Sequence, residues 1–179
     1  MKISLVPALT LVLISGAILI ADAGVQKLPD GVIIELTKEP AISSRLIKIQ
    51  VCDDDIIHVQ ATPDSNFSER PSLIVEQTYA NRLPESVNWT LRENEDTVIL
   101  ATAKLLVKIS KTEGTVAFYK ADGELILQER ASGSKIFTAA EVMGEQTYHI
   151  QQFFDSPADE AFYGLGQHQN GLMNYKGQS

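Results

Sequence analysis

The sequence predicts an all-β protein, an antiparallel β-sandwich. Short runs of strand length, rich in Val, Ile, Thr, Tyr and Phe, recur between residues 31 and 154 with turn-forming residues between them. No stretch in that span sustains a helical period over about ten residues. So many strands at such short spacing call for two stacked sheets rather than one isolated meander.

The first 23 residues stand apart from this pattern. Lys2 supplies a positive start, Leu5 to Ile20 carries no charge, and Ala21-Asp22-Ala23 fits the small-x-small pattern that precedes signal-peptidase cleavage. Residues 1–23 therefore read as a signal peptide and residues 24–179 as one exported β-sandwich domain, periplasmic or extracellular. A retained anchor is the rival reading, because the apolar run is only slightly shorter than the roughly 20 residues that cross a bilayer.

The strands follow in order. "GVIIELT" (31–37), "LIKIQVC" (46–52) and "IIHVQAT" (56–62) alternate or run apolar, and Asp53-Asp54-Asp55 turns the second into the third. A long excursion over residues 63–86 contains Pro63, Pro71 and Pro84 and one strand-like piece, "SLIVEQT". Then come "VNWTLR" (87–92), "TVILAT" (97–102), "KLLVKIS" (104–110), "TVAFYKA" (115–121), "ELILQER" (124–130) and "TYHIQQFF" (147–154). The connections Glu93-Asn94-Glu95-Asp96, Lys111-Thr112-Glu113-Gly114 and Asp122-Gly123 predict hairpins, the last most clearly because glycine accepts positive φ without a Cβ clash.

Charge and composition narrow the function. The net charge of −8 is unchanged by removing Lys2 and Asp22 with the leader, and it argues against nucleic acid, whose phosphates call for clustered Lys and Arg. About 156 residues remain, enough for one sizeable core. Cys52 is the single cysteine, so packing rather than an internal disulfide must hold the fold. His58, His149 and His168 lie far apart with no metal-ligand spacing, and no phosphate loop, dinucleotide fingerprint or nucleophile elbow occurs. No metal or cofactor is implied.

Single residues read mostly as structure. Ile57, Val59 and Ala61 share one face of their strand and His58 lies on the other, so His58, like His149, reads as an ordinary strand residue. Cys52 reads as a small packed side chain. Asp53-Asp54-Asp55 reads as a solvated turn, since the ligand spacing of a calcium loop is absent. The sequons Asn66-Phe67-Ser68 and Asn88-Trp89-Thr90 matter only in a eukaryotic source.

The stretch "FYGLGQHQNGLMNYKGQS" (162–179) is different. Its four glycines bracket Gln167, His168, Gln169 and Asn170, neutral donors and acceptors beside aromatic rings, which is equipment for binding sugars. A plain glycine-rich turn between strands is the competing reading.

These residues also resemble a known family. "FYGLGQHQNGLMNYKGQ" resembles the loop that closes the N-terminal β-sandwich of glycoside hydrolase family 31. "IIHVQATPD" and "VKISKTEGTVAFYKADGELIL" are similar to a strand and a hairpin of the same domain. The resemblance implies a galactose-mutarotase-like sandwich packed on a (β/α)8 barrel of the same polypeptide. In such enzymes two barrel aspartates cleave α-linked xylosides or glucosides with retention of configuration. It further implies that Gln167, His168 and Gln169, with Asn170 next, contact the substrate, an α-linked xylose- or glucose-containing oligosaccharide. "QHQ" after "GLG", where many relatives carry an acidic residue, leans toward α-xylosides. A barrel needs roughly 200 residues or more, which this chain does not hold, so neither aspartate is assigned here and the chain alone is expected to be inactive. Two alternatives stay open: a freestanding carbohydrate-binding sandwich without catalysis, and a mutarotase-type epimerase, which needs a His and a Glu converging on one sugar ring.

Overall fold

The computed structural model describes residues 24–37, 44–68, 70, 87–166 and 171–177. The leader and the piece "SLIVEQT" lie outside the described residues. Strands β1 (Val25–Leu28), β2 (Gly31–Glu35), β3 (Leu46–Asp53) and β4 (Ile56–Thr62) form one sheet in that order. Strands β5 (Thr90–Glu93), β6 (Thr97–Ala101), β7 (Leu105–Ser110), β8 (Val116–Lys120) and β9 (Leu125–Gln128) form a second, again in sequence order. Strands β10 (Lys135–Val142) and β11 (Glu145–Gln152) make a separate two-stranded ribbon. Every pairing is antiparallel, and all four expected hairpin turns join the strands they were read to join.

Period-two alternation builds the core. In the first sheet Val32 faces Ile49 and Ile34 faces Ile47 across the ladder, and in the second Val98 faces Ile109 and Leu100 faces Val107. All eight are fully buried in one cluster that also holds Leu36, Val51 and Val116, so the sheets stack face to face as a sandwich. Burying each such side chain contributes about 1.5–3 kcal/mol. Ile57, Val59 and Ala61 of β4 pack against this cluster, the face the alternation assigned to them.

Two elements were not legible as strands. The first, β1, has only four residues. The second is β10, whose turn into β11 is Met143-Gly144, with φ of 54° and 83° at the two positions. Positive φ at both central residues defines the type I′ hairpin turn. Methionine is not a residue that announces such a turn, which is why "KIFTAAEVMGEQT" carries no hairpin signature.

Hydrogen bonds and an ion pair staple the sandwich at its ends. Thr102 Oγ1 donates to Asp54 O at 2.6 Å, and Lys104 Nζ meets Asp55 Oδ2 at 2.7 Å. The aspartate turn after β3, with Asp53 and Asp54 half-buried and Asp55 exposed, is therefore a tie between the sheets. Elsewhere Thr37 N–H donates to Lys111 O at 3.1 Å, joining the segment after β2 to the turn after β7.

The ribbon is rooted by a buried ion pair. Lys135 Nζ bonds Glu129 Oε2 and also donates to Gly114 O at 3.0 Å. Glu129 in turn accepts from Val116 N–H at 3.0 Å and from Gln152 Nε2 at 2.8 Å. One carboxylate and one ammonium thus knit β8, the turn before it, and both ribbon strands. Burial pushes the Lys135 ammonium below its ordinary value, with Glu129 opposing the shift.

Candidate functional site

After β11 the chain runs back beside β9. Arg130 N–H donates to Phe153 O at 3.1 Å and Asp155 N–H to Gln128 O at 3.0 Å. The chain then enters the glycine-rich loop, whose base is clasped. Tyr175 N–H donates to Phe162 O at 2.9 Å, while the Asn174 side-chain carbonyl accepts from Phe162 N–H and from Lys176 N–H, each at 3.0 Å. Lys176 Nζ reaches Pro157 O. Gly164 and Gly171 both stand at φ 71°, a left-handed conformation that costs other residues about 1–2 kcal/mol.

Gln167, His168, Gln169 and Asn170, the residues expected to contact substrate, form the part between the two halves of this clasped loop and lie outside the described residues. The flanks are described, and they are apolar and exposed: Tyr163 by 63%, Leu165 by 62% and Met173 by 79%.

A second feature was not foreseen from the sequence. A cavity of about 440 Å3 opens between the end of β4, the segment after it, and the ribbon. Gln60, Asp64, Asn66, Phe67, Phe137 and Tyr148 contribute to its lining. Tyr148 Oη donates to Asp64 Oδ1 at 2.9 Å across 84 positions of sequence. Its ring meets that of Phe137 edge-on, with centroids 6.0 Å apart and planes at 90°, a favoured aromatic geometry. The hydrogen bond to Asp64, with burial behind it, pushes the Tyr148 hydroxyl above its ordinary value, so it stays protonated and donating. Thr62 Oγ1 accepts from Asp64 N–H at 3.1 Å and donates to Asn66 O at 3.4 Å, fixing the path of the lining segment.

The other singled-out groups fall in structural places. His58 is on the solvent side of β4, and partial burial lowers its imidazole below the ordinary value, with repulsion from Lys48 adding to it. His149 is exposed on β11 opposite Thr138. Cys52 is a half-buried free thiol; burial raises it despite the His58 backbone, and Asp30 and Asp53 raise it further. Asn66 and Asn88 are both exposed. Among the described residues no group of three or more His, Cys, Asp or Glu side chains is placed to hold a metal ion.

The glycosyl hydrolase 31 N-terminal galactose mutarotase-like domain matches this sequence over residues 46–179. The chain belongs to that family. The GH31 alpha-xylosidase from Xanthomonas citri superposes with a TM-score of 0.70 at 36% identity, over 84% of this chain and 15% of that one. A GH31 dextranase from Flavobacterium johnsoniae, solved with isomaltotriose, shares the fold with a TM-score of 0.57 at 19% identity, over 82% of this chain and 16% of that one. An isomaltosyltransferase of Sporosarcina globispora is 26% identical over 126 residues, which are 69% of this chain and 10% of the transferase. This GH31 sandwich therefore spans between a tenth and a sixth of the length of these relatives. A mutarotase-like fold does not by itself carry mutarotase chemistry, which lives in the site residues.

Proposed function

We propose that this sandwich is the N-terminal domain of a longer, exported, retaining α-glycosidase, and that its clasped loop helps shape a pocket for α-linked xylosides or glucosides. The observation that carries the reading is the loop itself: glycines at positive φ, a base closed by two hydrogen bonds between Phe162 and the Asn174–Tyr175 segment, and exposed apolar flanks. By sequence, the loop offers neutral amides and an imidazole, groups that suit the hydroxyls of a sugar. Its apolar flanks suit contact with another protein body. Chemistry would come from paired carboxylates on that body, about 5 Å apart, one attacking the anomeric carbon and the other protonating the leaving oxygen. The 36% identity to an α-xylosidase supports xylosides over glucosides. The leader-like residues 1–23 support export.

The test uses the barrel-containing polypeptide read from the coding frame beyond Ser179. His168→Ala or Gln167→Ala is expected to lower kcat/KM for an aryl α-xyloside about tenfold, the effect of losing one good hydrogen bond. Residues 1–179 alone are expected to release no aryl alcohol. Unchanged kcat/KM in both variants, or turnover by the purified 1–179 chain, would sink the proposal.

A further inference from the structure

The cavity beside the ribbon carries an inference about a second binding site, which rests on the carbohydrate reading above. Its described lining residues include none of the glycine-rich loop. Its volume of about 440 Å3 lies within the range of roughly 300–1,000 Å3 typical of small-molecule sites. Aromatic side chains come from Phe67, Tyr148 and Phe137, and hydrogen-bonding groups from Gln60, Asp64 and Asn66. Among the described residues no Lys, Arg or His lines it, and Asp64 brings negative charge, which disfavours an anionic ligand. The site is preorganised: the bond from Tyr148 to Asp64 and the edge-on contact with Phe137 hold the tyrosine ring before any ligand arrives. An aspartate carboxylate can accept hydroxyl protons, and the amides of Gln60 and Asn66 both donate and accept.

We propose that this cavity binds a neutral pyranoside unit of an oligosaccharide, with Phe67 and Tyr148 against its CH face and Asp64 and Gln60 on its hydroxyls. An aromatic floor answers the apolar face of a pyranose, and a carboxylate with amides answers its equatorial hydroxyls. The proposal gives the sandwich a grip on substrate of its own.

The experiment is titration of the 179-residue chain with isomaltotriose and, separately, methyl α-xylopyranoside, followed by backbone amide chemical shifts. Shifts clustered on Gln60–Ser68 and Phe137–Tyr148 are expected, with dissociation constants that rise about tenfold in Asp64→Asn, a near-isosteric change. Tyr148→Phe, which keeps the ring and frees Asp64, is expected to weaken binding by a smaller factor. Shifts confined to residues 160–177 would overturn the cavity and support the loop. The absence of any shift would also overturn the cavity, while the loop is judged separately by turnover. Contacts in the sugar-free chain between the Phe67 or Tyr148 ring and residues 69–86 would show that the chain fills its own cavity, and would overturn the proposal as well.

Discussion

Lys135→Met would leave the Glu129 carboxylate buried without its cation. The two side chains are only 5% and 4% exposed, so neither partner can recover by turning to water. Removing one member of a buried ion pair costs about 3–5 kcal/mol, because the survivor stays charged in a poor dielectric. Glu129 would keep its hydrogen bonds from Val116 and Gln152, which places Lys135→Met near the lower end, about 3 kcal/mol. Glu129→Gln strands the ammonium with the Gly114 carbonyl and a neutral amide, and a similar loss of about 3 kcal/mol is expected. The double variant removes both charges yet keeps an acceptor for Val116 N–H, so its cost should fall to about 1–2 kcal/mol. The non-additivity is the signature of the pair. Urea unfolding followed by circular dichroism measures all four species. A chain of this size should lose roughly 2–4 °C of melting temperature per kcal/mol, or about 6–12 °C in either single variant. Single losses under about 1 kcal/mol, or a double variant equal to the sum of the singles, would refute the claim that this pair roots the ribbon.

Two further outcomes follow from the same geometry. His58 has its folded-state value lowered by burial and Lys48, so above the ordinary imidazole range both states are neutral and nothing is lost. As pH falls from about 6.5 through the lowered value, the unfolded chain binds the proton first and stability drops. His58→Gln should flatten that acid-side loss, and melts at pH 5 and pH 7.5 that fall in parallel with the parent would contradict it. Gly31 lies where a Cβ would come within 1.9 Å of Ile49 O, a backbone atom of the paired strand. Gly31→Ala should therefore cost about 1–3 kcal/mol by forcing β2 and β3 apart, and a midpoint equal to the parent's in a urea melt would count against it.

The fold was legible because its signals are local. Alternation in "LIKIQVC" and "IIHVQAT" put Ile47, Ile49 and Val59 on one side within a few residues, and Asp122-Gly123 marked its turn by chemistry alone. Where a turn used a residue that ordinarily avoids positive φ, as at Met143, the hairpin was invisible. The glycine-rich loop was legible as a loop from its glycines, and its clasp through Asn174 gives that reading a geometry up to the edge of residues 167–170.

By itself, then, the sequence determined the class of fold, nine of its strands, four of its hairpin turns and its family likeness. All of these follow from backbone periodicity, turn preference and a few motifs read along the chain. Tertiary structure alone decided the rest. Asp64 and Tyr148 meet across 84 positions, and Lys135 finds Glu129 and Gly114 only once the ribbon folds onto the second sheet. Nothing in the neighbourhood of Tyr148 or Lys135 along the chain encodes those partners, because burial and pairing between distant strands arise only when the sheets close over one another.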